Sequence, residues 1–144
     1  MGLVVVIFIR LLVPLSIPRW PLAGALISMI VDMYDINVLS WLGWGVLDAE
    51  SYQQFDKALD MYYLSFEFYV SQRRWPDMLA RKTSLVLFLW RLAGFVAFEI
   101  THIRRFLVFG PNIFENFYLL VVTMRRFSPA FRINKVWKLA ALIL

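Results

Sequence analysis

The chain has 144 residues, of which 61% are hydrophobic and 17% are charged, with a formal net charge of +5. A soluble globular domain has about 45–50% apolar and about 25% charged residues, so this composition points to a bilayer as the main solvent. The basic residues are grouped at the ends of apolar runs, which is typical of membrane proteins and argues against nucleic-acid binding. The absence of cysteine excludes disulfides and thiolate metal sites. We therefore expect an all-α, polytopic transmembrane bundle of four to five spans.

The first apolar run, residues 1–18, has no basic stretch in front of it and no small-residue cleavage site. This pattern favours a retained membrane or interfacial segment over a signal peptide. The run is short for a span of about 20 residues and contains Arg10, whose head group we expect to reach the membrane interface. Pro14 and Pro18 interrupt the run, and Trp20 follows it as an interfacial aromatic residue.

Later apolar segments are predicted as spans from their length and hydropathy. They cover residues 20–43, 56–71, 83–100 and 111–124. The basic loop between the second and third of these segments, and the basic residues after the last one, are placed on the cytoplasmic side. Residues 125–144 form a basic tail with a short apolar end, so the chain either ends on the membrane surface or is cut short relative to a longer parent. This layout predicts a multi-pass protein of the cell membrane.

The turn between the last two predicted spans opposes this layout. It contains Arg104 and Arg105 on the side where the positive-inside rule disfavours arginine. We therefore expect both arginines to have acidic partners on the same membrane face.

Two pairs of aspartates occur near the ends of predicted helices. Asp32 and Asp35 are three residues apart, and Asp56 and Asp60 are four apart, so each pair lies on one helical face. The layout places all four toward one membrane surface. Three interpretations remain open: hydrated helix-end residues favoured by the helix dipole, a site for a divalent cation such as Mg²⁺, or a docking site for a basic partner subunit.

The pattern Asp32-x2-Asp35 followed by Asp56-x3-Asp60 resembles part of the CDP-alcohol phosphotransferase signature. The resemblance implies that the four aspartates bind a divalent metal and a CDP-linked donor. It also implies that the last one, Asp60, is the base that activates the incoming alcohol. The sequence departs from the signature at Ile36, where the family has glycine, and no Ala-Arg pair follows.

A second resemblance rests on residues in the later half of the chain. They are Arg91, Gly94, Phe98, Glu99, Thr101, Pro111, Asn112, Phe114, Glu115 and Phe117. Their spacing is similar to a pattern in uncharacterised bacterial multi-span integral membrane proteins, and this resemblance implies no particular activity.

Polar residues in the later spans are predicted to form an intramembrane polar cluster. Its members are Glu67, Arg91, Glu99, His102, Asn112 and Glu115. Glu67 and Arg91 lie deepest and are expected to pair, because an unpaired buried ion costs several kcal/mol. His102 is the single histidine of the chain. It is either hydrated at the interface or a metal ligand or proton relay beside Glu99.

The sequence favours a small, non-catalytic integral membrane protein, a subunit or binding module whose polar cluster fixes the bundle or receives a partner. That partner is a membrane subunit or a second copy of the chain, in addition to the lipid bilayer. The first alternative is a membrane-embedded, metal-dependent enzyme acting on a lipid or phospho-substrate, with the four aspartates holding the metal. The second alternative is an ion or proton pathway through Glu67, Arg91 and Glu99.

Overall fold

The computed structural model describes residues 2–41, 49–109, 113–133 and 135. Within these residues the secondary structure is helical and contains no strand, which confirms the all-α prediction. The helices are α1 (Gly2–Leu12), a short 3-10 turn (Val13–Ser16), α2 (Pro21–Trp41), α3 (Ala49–Arg74), α4 (Met78–Thr101), α5 (Arg105–Phe109) and α6 (Ile113–Phe127). The third helix, α3, therefore begins before the predicted span at 56–71 and ends after it.

The chain divides into two compact units, Met1–Phe66 and Glu67–Leu144. The boundary falls inside α3. The first unit contains α1, the 3-10 turn, α2 and the first part of α3. The second unit contains the rest of α3 together with α4, α5 and α6.

In the first unit, two prolines and a glycine set the connection from α1 to α2. Pro14 is the second residue of the 3-10 turn, and its carbonyl accepts a hydrogen bond from the Ile17 backbone N–H at 3.0 Å. Pro21 begins α2, where the first helical turn tolerates its missing N–H. Gly24 packs directly on the turn, because a Cβ at this position would lie 2.8 Å from the Ile17 Cα. Glycine is therefore required for this close approach.

The core of the second unit is built from aromatic rings contributed by α3, α4, α6 and the connection after α3. Phe68 stacks on Phe88 with ring centres 4.4 Å apart, and Phe88 meets Phe114 edge-on at 5.5 Å. Tyr118 stacks with Phe114 at 6.3 Å and with Trp75 at 5.8 Å. Each such pair contributes about 0.5–1.5 kcal/mol beyond the burial of its area, so these contacts hold the helices together.

Asp77, in the connection between α3 and α4, anchors the segment that follows α6. Arg125 Nη2 donates to Asp77 Oδ2 at 2.6 Å, and the Ile133 backbone N–H donates to the same oxygen at 3.0 Å. The Arg125 guanidinium also lies over the Trp75 ring, 5.1 Å from its centre. Sequence reasoning treated residues 72–82 only as a basic loop and missed this anchor, although its one acidic residue was the signal.

Two segments are long and apolar enough to span a membrane, Met78–Thr101 and Arg105–Phe127. Their mean hydropathies are 1.6 and 1.4. Only 28% and 36% of the residues in these windows are buried, whereas the core helix of a soluble protein is mostly buried.

Within the described residues, the other predicted spans do not meet the same criteria of length and hydropathy. In α2 the apolar part covers only Pro21–Tyr34, and α3 carries acids and bases along its length. The two predicted spans at 20–43 and 56–71 therefore remain predictions.

α4 ends at His102, which adopts the left-handed conformation with φ 55°. Its backbone N–H donates to the Phe98 carbonyl at 2.7 Å, and this hydrogen bond closes the helix. Histidine is among the non-glycine residues enriched in this conformation. The following Arg104 and Arg105 are exposed and form no ion pair with an acid among the described residues. The acidic partners expected for them are thus not observed there.

Candidate functional site

Three of the four predicted aspartates converge in the first unit. Asp32 lies on α2, and Asp56 and Asp60 lie one turn apart on α3. One carboxylate oxygen from each of the three lies within 4.8 Å of the others. The side chain of Asp35 lies outside the described part of the structure. The metal-site interpretation requires the two pairs to converge, and three of the four residues do so. These three residues are called the aspartate triad below.

Arg10 joins the aspartate triad from α1. Its Nη1 donates to Asp56 Oδ1 at 2.7 Å, and its Nη2 donates to Asp60 Oδ1 at 2.9 Å and to Asp32 Oδ1. Arg10 is only 5% exposed. Three carboxylates therefore compensate the guanidinium charge inside the fold, and these partners were not part of the sequence prediction.

Lys57 is the second cationic side chain that contacts the aspartate triad. Its Nζ lies 2.9 Å from Asp56 Oδ2 and 3.0 Å from Asp60 Oδ2. Three carboxylates thus meet two cationic groups, which leaves one net negative charge on these five side chains. The sequence analysis did not predict either Arg10 or Lys57 as a partner of the aspartates. The available signals were an arginine inside an apolar run and a lysine directly after Asp56.

The carboxylate oxygens of the triad are the type of ligand that a hard divalent cation prefers, and they lie close enough together to bind one ion. Mg²⁺ and Ca²⁺ take carboxylate oxygens at about 2.0–2.6 Å, and several such oxygens lie near one point here. Arg10, however, uses one oxygen from each of the three aspartates. A cation and the Arg10 guanidinium therefore compete for the same oxygens, and cation binding requires Arg10 to leave at least one carboxylate.

The predicted polar cluster belongs mainly to the second unit. Glu67 is fully buried there, and neither of its carboxylate oxygens has a hydrogen-bond partner among the described residues. The expected pairing of Glu67 with Arg91 is therefore not observed. The helix register explains this result. Ser71 hydrogen-bonds Ser84, which places Glu67 level with Phe88 and puts Arg91 about one turn farther along α4.

The remaining members of the predicted cluster differ in their surroundings. Arg91 and Glu115 are buried, Glu99 is half-buried, and His102 is exposed at the end of α4. Asn112 lies outside the described residues. His102 caps α4, and its ring meets the Phe98 ring edge-on with centres 6.5 Å apart. The metal-ligand and proton-relay roles considered for it remain predictions.

No family model, curated protein or solved structure matches this chain. Function is therefore argued from the geometry and chemistry of the site.

Proposed function

We propose that the protein is an integral membrane enzyme that uses a divalent cation bound by the aspartate triad to act on a phosphate-bearing substrate. The observation that carries this proposal is the convergence of Asp32, Asp56 and Asp60 from two helices to within 4.8 Å of one another. A Mg²⁺ ion at this position would supply Lewis-acid stabilisation of phosphate oxygens.

Each charged residue of the site has a defined part in this proposal. The three aspartates hold the cation, and Asp60, the last of them, is the candidate base for an attacking hydroxyl. Cation binding would require Arg10 to release at least one carboxylate, and its guanidinium carries donors that match a phosphate bidentately. Lys57 keeps Asp56 and Asp60 oriented through their second oxygens.

We further propose that Met78–Thr101 and Arg105–Phe127 cross the bilayer and hold the protein in the cell membrane. A 24-residue helix such as Met78–Thr101 is about 36 Å long at 1.5 Å per residue, which exceeds the roughly 30 Å of the hydrocarbon core. Basic residues flank these segments at Arg81, Arg125 and Arg126. Arg104 and Arg105 lie at the opposite end, but the outer ends carry more basic residues, and this excess supports a hairpin whose two outer ends lie on the cytoplasmic side.

A second candidate function follows from the position of Arg10. Because one guanidinium hydrogen-bonds all three aspartates, the triad is also a closed ion-pair network that ties α1 to α2 and α3. In this case the protein is a non-catalytic membrane subunit or binding module, and the network serves to fix its fold. The exposed apolar side chains of α1, among them Val4, Phe8 and Leu12, would then face lipid or a partner.

Metal analysis of the purified protein separates the two candidates. The enzyme proposal predicts about one divalent ion per chain in the wild type by inductively coupled plasma mass spectrometry, and a loss of that ion in Asp56→Asn and Asp60→Asn. Asp77→Asn is the matched control, because Asp77 is a buried, arginine-paired aspartate outside the triad. A wild type without metal, even after dialysis against Mg²⁺ or Mn²⁺, supports the non-catalytic candidate.

A further inference from the structure

Basic side chains are concentrated at one end of the second unit, where α3 ends, α4 begins and the chain leaves α6. Residues 72–82 and 124–135 together contain eight basic residues and one acid, Asp77. The basic residues, called the basic end below, are Arg73, Arg74, Arg81, Lys82, Arg125, Arg126, Arg132 and Lys135. Such an excess of positive charge is complementary to an anionic partner.

Hydrogen bonds at Asp77 and Arg81 bring these parts of the chain together. Asp77 Oδ2 accepts from Arg125 Nη2 at 2.6 Å and from the Ile133 backbone N–H at 3.0 Å. The end of α6 and the segment after it therefore lie beside the start of α4. The Arg81 carbonyl accepts from Gln72 Nε2 at 2.9 Å, which joins the end of α3 to the same place. The basic residues next to these contacts thus belong to one surface.

Most of this positive charge is not compensated within the described residues. Four members of the basic end are exposed and form no ion pair there; they are Arg73, Arg74, Lys82 and Arg126. The carboxylate of Asp77 is already paired with Arg125. An anion from outside the chain can therefore approach the exposed bases without displacing an acid.

Arg81 is the member of the basic end with the clearest need for an acceptor. It is half-buried, and its Nε is buried without a hydrogen-bond partner among the residues that the structure describes. Its backbone N–H donates to the Asp77 carbonyl at 3.0 Å, so its Cα lies about one helical turn from Asp77. A guanidinium partly removed from water needs acceptors. A phosphate group supplies several oxygens in the matching geometry.

Large apolar side chains lie among these bases and favour a lipid over a soluble anion. Met78 is 64% exposed next to Asp77, and Phe127 is 82% exposed next to Arg126. Both residues end the apolar segments that are proposed to cross the bilayer. A free phosphate or a nucleic-acid backbone covers no apolar surface here, whereas a phospholipid places acyl chains beside its phosphate.

We propose that the basic end binds the phosphate of an anionic phospholipid, with Arg81 contacting the phosphate and the exposed bases attracting the headgroup. This binding rests on the proposed membrane location of the two apolar segments and is independent of the aspartate triad. An anionic lipid at this position would also hold the ends of α3, α4 and α6 together.

The test is native mass spectrometry of the detergent-purified protein in EDTA, titrated with phosphatidylglycerol or with phosphatidylcholine of the same acyl chains. The wild type is expected to bind phosphatidylglycerol on the order of tenfold more tightly, since each basic residue near a lipid surface contributes about fivefold. The exposed double variant Lys82→Gln/Arg126→Gln is expected to lose most of this preference. Arg81→Gln is expected to lose about fivefold, and Arg81→Lys, which keeps the charge, is expected to lose less.

Arg104→Gln/Arg105→Gln is the matched control, because it removes two exposed arginines beyond the other end of α4 and is expected to keep the preference. Equal affinity of the wild type for the two lipids would overturn the proposal, and so would an equal loss of preference in this control. Displacement of phosphatidylglycerol by glycerol phosphate or by an oligonucleotide at equal concentration would assign the surface to a soluble anion and overturn it as well.

This result is separable from the other proposals. EDTA removes divalent cations, so lipid binding is measured whether or not the aspartate triad holds a metal. Cysteine labelling of the two apolar segments measures their crossing of the bilayer, so a failure to cross and a failure to prefer the anionic lipid are distinct outcomes.

Discussion

Arg10 and Asp60 are 50 positions apart in the chain, and the Arg10 guanidinium donates to the Asp60 carboxylate across 2.9 Å. Both residues are buried, and the same guanidinium also binds Asp56 and Asp32. This contact ties the first helix to the third and sets the charge of the proposed cation site. Substitution of Arg10 therefore tests whether this ion-pair network stabilises the folded protein.

Replacing Arg10 with glutamine is expected to destabilise the folded protein by about 3–5 kcal/mol, because it leaves three carboxylates close together without their central cation. Unfolding in detergent by heat or denaturant measures the loss. Added Mg²⁺ or Mn²⁺ is expected to restore part of the stability of Arg10→Gln, since the ion takes the position of the guanidinium. Arg19→Gln is the control, because Arg19 is exposed and only lies over the Trp20 ring, a contact of about 0.5–1 kcal/mol. Equal losses in the two variants would contradict the role given to Arg10.

Gly24→Ala tests the close packing of α2 on the preceding turn. A Cβ at Gly24 would lie 2.8 Å from both the Cα and the N of Ile17, which are backbone atoms that do not move aside easily. We expect a loss of about 1–3 kcal/mol from overpacking, against the gain in helix propensity that alanine brings elsewhere. Ala23→Ser, at the adjacent exposed position, is expected to change stability by less than about 0.5 kcal/mol. An unfolding temperature of Gly24→Ala at or above that of the wild type would refute this packing.

Arg125→Ala is expected to release the segment after α6, because it removes the partner of Asp77 and the cation over the Trp75 ring. Limited proteolysis of the purified protein measures the effect as faster cleavage beyond Phe127. Arg126→Ala removes the neighbouring, exposed arginine, and this variant is expected to be cleaved at the wild-type rate. If both variants are cleaved equally fast, Asp77 does not anchor this segment.

The chain has no cysteine, so single cysteines report membrane sidedness without a background. Met78→Cys and Phe127→Cys, at the outer ends of the two apolar segments, are expected to react with a membrane-impermeant maleimide from the same side of the bilayer. Ile103→Cys, in the connection between them, is expected to react only from the opposite side. All three positions are exposed, so their labelling depends on the membrane and not on burial. Reaction of all three from one side would show that these segments do not cross.

The helices and the aspartate pairs could be predicted from the sequence because they depend on local patterns. Apolar runs and the three- and four-residue spacings of Asp32, Asp35, Asp56 and Asp60 are visible in the chain itself. Their convergence followed because two neighbouring helices each carry one acidic face.

The partners of the buried charges could not be predicted, because they depend on helix register. The sequence placed Arg10 at the interface since nothing local shows three carboxylates arriving from α2 and α3. Glu67 and Arg91 were expected to pair because both were placed deep in the membrane. The hydrogen bond between Ser71 and Ser84 instead sets a register of α3 against α4 in which Phe88 lies opposite Glu67. Arg91 therefore lies about one helical turn beyond the level of Glu67 on α4.

The binding of Mn²⁺, followed by electron paramagnetic resonance of the free ion, tests the central claim most directly. The wild type is expected to remove about one Mn²⁺ per chain from solution, and Mg²⁺ is expected to displace it. Asp60→Asn is expected to bind at least tenfold more weakly, while Asp77→Asn binds as the wild type does. A wild type that leaves all Mn²⁺ free at millimolar concentration would show that the aspartate triad, held by Arg10 and Lys57, binds no divalent cation, and it would contradict the enzyme proposal.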